Sequence, residues 1–266
     1  MKSNFEGLAR ELLAVYDGGG TSENLDGLDL MSAYAVESEF RRLREGQGHH
    51  AVGRKAGYAN KAVWRALKLE TLVWAHMYDD TVHYSPVNGS SAGTAEFALG
   101  SLKGARLEPE IVFKLKDATG AGLEAVEWLA IGFEIIACPF SDWKFQPAEF
   151  VAAWGLHRGL IIGQPCPVTT EKIPVLTDQL ANFKFKLLRN DEFIEEGTGR
   201  NCLRSPALCL AEFTSAVQRQ PACEPLQAGE LFSSGTLTPA QPIQAGETWR
   251  VELEGLDIPA LSLRVR

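Results

Sequence analysis

Two glutamates two residues apart, Glu108 and Glu110, stand in the run Leu107-Glu108-Pro109-Glu110-Ile111-Val112-Phe113, which reads as a strand. Side chains at i and i+2 of a strand share a face, so the two carboxylates project side by side. A third, Glu134, follows inside the apolar run Ile131-Gly132-Phe133-Glu134-Ile135-Ile136. Burying an ionised carboxylate among such neighbours is costly unless a cation meets it. Three glutamates from two strands make an all-oxygen donor set for a hard divalent cation, Mg²⁺ above all, with positions left for water or substrate. The residues alone leave two other readings open. Glu-x-Glu on a strand also suits a solvated face, and a lone Glu in an apolar run also suits a pair with a lysine.

The chain around this run is long enough, at 266 residues, for one large domain or a domain with a small appendage. Acidic residues exceed basic ones, 34 to 26, and no basic stripe stands out, so a nucleic-acid partner is not expected. The five cysteines, at 138, 166, 202, 209 and 223, form no Cys-x-x-Cys pair, which points to reduced thiols and a cytoplasmic protein. Met1-Lys2-Ser3-Asn4-Phe5-Glu6 lacks the layout of a signal peptide, and no apolar run reaches transmembrane length, so no membrane partner is expected.

Local pattern gives the fold class. Residues 4–17 read as a helix ended by Gly18-Gly19-Gly20, and a second helix runs from Asp29 to Gly46. A strand over 52–58 follows, then a short helix capped by Asn60. Beyond Asp80 the chain turns mostly to strands, with helices at about 121–130, 147–156 and 205–218. Phe183 to Ile194 reads as a hairpin turning at Asn190-Asp191, and alternating strands close the chain at Trp249–Glu254 and Leu261–Arg266. The expectation is α+β: an N-terminal helical subdomain over 1–50 and a mixed β-core over 51–266. No regular βαβ rhythm or dinucleotide fingerprint is present, which disfavours a Rossmann fold.

Several stretches resemble the 2-keto-4-pentenoate hydratase and 4-oxalocrotonate decarboxylase family of the fumarylacetoacetate hydrolase superfamily. They are Glu108-Pro109-Glu110-Ile111, Glu134-Ile135-Ile136 before Asp142-Trp143-Lys144, Gly53-Arg54-Lys55-Ala56-Gly57, Met77-Tyr78-Asp79-Asp80, Pro225–Glu230 and Ser234-Gly235-Thr236-Leu237-Thr238. The resemblance spans about residues 29–266. It implies the fumarylacetoacetase C-terminal-like fold, Mg²⁺ or Mn²⁺ held by Glu108, Glu110 and Glu134, and an active-site Lys55. It implies a small anionic 2-oxo acid substrate, a closed homo-oligomer and a hydratase acting on 2-hydroxy-dienoates in aromatic catabolism. A decarboxylase, a C–C bond hydrolase and a non-catalytic metal-binding partner subunit are the alternatives.

Further roles follow from the same alignment. Asp79 is expected to carry a proton. His157 is expected to act on the substrate, Arg158 to pair with its carboxylate, and Thr236 and Thr238 to bind it. In the hydrolase branch, Glu45 with His49 or His50 would activate water. Two stretches depart from the family: Ala137-Cys138 replaces Asp-Ser, and Trp154-Gly155-Leu156-His157 replaces a run with small hydroxyls. A pocket so altered is expected to keep the metal chemistry and to favour a bulkier, more apolar acid. Trp143, Phe145 and Phe150 are expected to be covered by a second copy.

Overall fold

The structure, a computed structural model, describes residues 2–88, 91–118, 120, 122–220 and 223–266. The chain opens with two helices, α1 (Lys2–Gly18) and α2 (Leu30–Gly46). Asp29 caps α2 by accepting the Ser32 backbone N–H at 2.8 Å. Their apolar faces meet through Tyr16 and Phe40, whose ring centroids lie 5.5 Å apart. Phe40 also stacks on Trp154 at 5.6 Å, so the helices share one buried core with the sheets.

The large sheet runs in the order Val73–Tyr78, Ala51–Gly57, Leu231–Ser233, Arg106–Leu115, Val126–Ile136, His157–Ile162, Val82–Tyr84. Two short strands add to it at Cys166–Pro167 and Gln241–Pro242. A five-stranded sheet runs in the order Glu192–Thr198, Lys184–Arg189, Thr248–Glu254, Ser262–Val265, Thr94–Phe97. Phase fixes which residues of the large sheet face the site. Lys55 pairs with Ser233, Ser233 with Val112, and Glu108 with Glu134. Lys55, Ser233, Glu108, Glu110 and Glu134 therefore lie on one face. The opposite face carries Phe113 and Phe232, and Phe213 of the helix Pro206–Gln218 stacks on Phe232 at 4.1 Å. Burying three such rings contributes a few kcal/mol each, which anchors the short Leu231–Ser233 strand between its neighbours.

Three local expectations change. No helix covers the region near 121–130: a single 3₁₀ turn, Leu123–Ala125, leads into the strand Val126–Ile136, and residue 121 lies outside those described. Val126, Ile131, Phe133 and Ile135 are buried and the strand is paired on both sides, where β-branched and aromatic residues pack best. A helix not anticipated forms at Ile173–Asn182, with Pro174 in its first turn and Leu176 and Leu180 turned inward. The helix expected over 147–156 stops at Ala152, because Trp154, Gly155 and Leu156 all take positive φ, +48°, +61° and +61°. Two non-glycine residues held there cost on the order of 1–3 kcal/mol each, and such strain gathers at functional sites.

Candidate metal centre and active-site cavity

The Arg106–Leu115 and Val126–Ile136 strands are antiparallel, and their register sets Glu108 directly opposite Glu134. Glu110 follows Glu108 on the same face, and one carboxylate oxygen from each of the three lies within 4.8 Å of the others. Glu110 and Glu134 have no exposed surface. Lys55 brings the one ammonium, its Nζ 2.8 Å from Glu134 Oε2 and 3.3 Å from the Gly155 carbonyl. The same ammonium sits 4.8 Å from the Phe150 ring centroid. Gly155 has to be glycine for this contact. A Cβ there would stand 2.9 Å from Ala75 Cβ and 3.0 Å from Lys55 Cδ.

Charge decides what the cluster needs. Three carboxylates against one ammonium leave two negative charges, which one divalent cation would neutralise. Without it, burial, helped by repulsion from Glu134, pushes the Glu108 carboxyl up to about 7 and Glu110 well above the usual carboxylate range. Glu134 goes the other way: burial raises it, but Lys55 and His157 together outweigh that and hold it low. For Lys55, burial works against the charge, and the three carboxylates overcome it, so its pKa is raised. Glu110 Oε2 accepts a hydrogen bond from Ser233, whereas the buried Oε1 has no partner. An orphaned carboxylate oxygen in an all-oxygen trio fits a hard cation.

Of the trio, Glu108 reaches the wall of a cavity of about 770 Å³, with Glu110 and Glu134 buried behind it. Lys55, Glu108, Thr236 and Thr238 line it, together with Leu156 and the rings of Tyr58, Trp143, Phe145 and Phe150. Thr236 donates to the Thr238 carbonyl at 2.6 Å, which fixes the turn that carries both hydroxyls. Two arginines also line the wall, Arg106 and Arg200; sequence reasoning missed both. The signal for Arg106 was in the run itself, since it precedes Glu108 by two residues and shares its face.

Other expected site residues are placed elsewhere. His157 does not line the cavity. Its Nδ1 lies 2.8 Å from Glu134 Oε1 and its Nε2 3.0 Å from Thr81 Oγ1, so it stands behind the carboxylate and orients it. Arg158, on the opposite face of that strand, donates to the Tyr16 carbonyl at 2.9 Å and stacks over the Tyr16 ring. Asp79 lies in the turn after Val73–Tyr78, accepting the His50 N–H at 3.1 Å, with His49 Nδ1 at 3.7 Å. Glu45 pairs with Arg41 at 2.8 Å, and His49 faces Asp79 and Asp80, so no Glu45–His dyad forms. Ala137, Cys138 and Trp154 line a separate recess of about 160 Å³ shared with Arg158. Of the departing residues, only Leu156 faces the main cavity. Phe150 is buried, and Trp143 and Phe145 are half-buried against the cavity.

A curled sheet with a buried carboxylate trio beside one lysine defines a metal-site enzyme scaffold of the α+β class. The sequence pattern of the fumarylacetoacetate (FAA) hydrolase C-terminal family matches residues 89–266, and the chain belongs to that family. It is 28% identical over 242 residues to the 2-hydroxyhexa-2,4-dienoate hydratase of Comamonas testosteroni, covering 88% of this chain and 86% of that protein. It is 24% identical over 251 residues to the 4-oxalocrotonate decarboxylase of Pseudomonas sp. (strain CF600), covering 92% and 89%. The structure of 4-oxalocrotonate decarboxylase from Pseudomonas putida G7, complexed with magnesium and adipate, superposes with a TM-score of 0.86 at 20% identity, over 100% of this chain and 98% of that one.

Proposed function

We propose that the protein is a divalent-metal-dependent hydratase of 2-hydroxy-dienoic or 2-oxo-alkenoic acids, acting in the catabolism of aromatic compounds. The observation that carries this is the Glu108–Glu110–Glu134 trio with Lys55, of which Glu108 and Lys55 line a cavity of about 770 Å³. Kinship with hydratases named for such acids supports it. The three glutamates would hold Mg²⁺ or Mn²⁺. The cation, when bound, supplies Lewis-acid polarisation of a substrate carbonyl and neutralises charge developing on its oxygen.

The chain's own residues do the rest. Lys55 Nζ, buried beside Glu134, is placed to meet the anionic end of the substrate and to give or take a proton there. Thr236 and Thr238 offer hydroxyl oxygens on the same wall. Leu156, Phe145 and Phe150 exclude water from the carbon chain. His157 acts as a positioning residue through Glu134, and Asp79 and Arg158 are outside the substrate's reach in this reading.

A decarboxylase is the second reading, favoured by the relative of that name and served by the same polarised carbonyl. The missing Glu45–His dyad weighs against a hydrolase. A non-catalytic metal-binding partner subunit is the reading from another class. The test is purified protein with Mg²⁺ and a panel of 2-hydroxy-dienoates and acylpyruvates, followed by loss of dienoate absorbance and by product mass. Addition of water marks the hydratase, and loss of carbon dioxide the decarboxylase. No metal-dependent consumption of any acid would sink both.

The organisation proposed with this function is a helical subdomain over 1–50 and a catalytic unit over 51–266, in a cytoplasmic homo-oligomer. Among the described residues no helix is long and apolar enough to cross a membrane. Light scattering that gives a single species of 29.1 kDa would refute the oligomer.

A further inference from the structure

We propose that the smaller recess beside Arg158 is a second ligand site, one that binds a small tetrahedral oxyanion of the phosphate or sulfate type. It lies apart from the metal-site cavity and shares no lining residue with it.

The lining carries donors and positive charge with nothing to answer them. Arg158 and Lys103 bring two cations, and no Asp or Glu lines the recess. Cys138 adds no anion, since burial pushes its thiol up. Arg158 is half-buried, and among the described residues its one hydrogen bond goes to the Tyr16 carbonyl at 2.9 Å. That leaves most of the guanidinium's N–H donors for another partner. The carboxylates whose charge reaches it are engaged elsewhere: Asp17 accepts from Gln47 at 2.9 Å, and Asp80 pairs with Arg44 at 2.6 Å. Burial accordingly pulls the Arg158 pKa below its usual value, as expected for a cation short of a counterion. Trp154 supplies a third donor. It lines the recess with only 3% of its surface exposed, and its buried indole Nε1–H has no acceptor among the described residues. A buried N–H left unpaired is costly, and a native site ordinarily gives it a partner.

The frame suits such an ion. The C-terminal end of α1 borders the recess, and helix C-termini repel anions, but its carbonyls are already taken: that of Tyr16 by Arg158, and that of Val15 by the Gly20 N–H at 3.1 Å. At about 160 Å³ the recess holds the volume of about five waters. That is below the range of pockets that take drug-sized organic molecules, and enough for a small oxyanion. The donors come from three separate segments: Lys103 from the loop before Arg106–Leu115, Arg158 from His157–Ile162, and Trp154 from the strained turn, where it takes φ +48°. A tetrahedral ion offers acceptor oxygens in every direction, whereas a carboxylate offers them in one plane, so donors on three segments match the former.

The probes are inorganic phosphate, sulfate and acetate, titrated calorimetrically into the whole chain without Mg²⁺, so that no metal ion holds the anion. Phosphate and sulfate should bind one to one with a Kd on the order of 1 mM or tighter, and acetate at least about tenfold more weakly. Lys103→Met and Arg158→Gln should each weaken phosphate about tenfold or more, the loss of one charge-assisted bond. Lys103 is exposed, so its variant keeps the fold, which its melting temperature without anion reports. Arg106→Met, which alters the lining of the larger cavity, should leave phosphate affinity unchanged. No phosphate binding up to about 20 mM overturns the inference. So does binding that survives both recess variants, or that Arg106→Met removes, because the ion would then sit in the larger cavity. Acetate bound as tightly as phosphate overturns the tetrahedral class.

Discussion

Lys55 and Glu134 meet at 2.8 Å although two strands, Leu231–Ser233 and Arg106–Leu115, separate the strands that carry them. Three strand spacings would hold the backbones on the order of 14 Å apart in a flat sheet. The sheet curls toward the cavity, and the two side chains cover the remaining gap. Lys55→Met should therefore do two opposite things. The metal-free protein loses about 3–5 kcal/mol, because a buried carboxylate is left without its cation. Mg²⁺ should bind the variant at least as tightly as wild type, since a competing positive charge is gone, while turnover falls by more than about a hundredfold. Urea unfolding with and without Mg²⁺ checks the first two. A variant as stable as wild type without metal would contradict the pairing.

Glu110→Gln removes one donor and leaves an amide beside Ser233. It should abolish the metal-dependent rise in melting temperature. At a Mg²⁺ concentration of about 100 Kd that rise corresponds to about 2.7 kcal/mol in the wild type. An unchanged rise would show that the trio does not hold the ion.

His157→Ala takes away the group behind Glu134 and should weaken Mg²⁺ about 10- to 100-fold without touching the substrate directly. The expected kinetic signature is a loss of rate that excess Mg²⁺ restores. A loss that no Mg²⁺ concentration repairs would return His157 to the substrate.

Glu108 gives the pH dependence. Its folded carboxyl, pushed up by burial and by the Glu134 charge, titrates near 7, against 4.5 as its ordinary value. A carboxyl raised in this way stabilises the fold fully below about pH 4.5, and that contribution is lost as pH rises through about 7. The metal-free protein should lose stability across this window, and Mg²⁺, which displaces the protons, should bind more tightly across it. Melting temperatures with Mg²⁺ and with a chelator should diverge from pH 5 to pH 8. A constant gap would mean that Glu108 is already ionised without metal.

What the sequence shows and what it hides divide along physical lines. The trio was legible because strand phase is strict: i and i+2 share a face, and a lone Glu in an apolar run demands a partner. Asn60 was legible as a cap for a similarly local reason. His157 and Arg158 were both read as facing substrate, yet neighbours on one strand point to opposite faces. A register shift between Ile135 and Ile136 then sets His157 against Glu134, and nothing in the composition marks such a bulge. Ala137 and Cys138 lie just past the Glu134 strand, where the chain turns into the smaller recess; sequence order gave their distance from Glu134 but not their side. Arg106 was passed over because a charged residue at a strand start looks solvated until the cavity is seen.

The Leu231–Ser233 strand is only three residues long, yet it pairs in parallel with the Lys55 strand and antiparallel with the glutamate strand. The site therefore has an order of assembly. A nascent chain halted before Leu231 has made its ammonium and all three carboxylates, but the wedge that joins their strands does not yet exist. Any capture of an ion by the trio would have to wait for that late segment, and until then the glutamates are an anionic patch on an unfinished sheet.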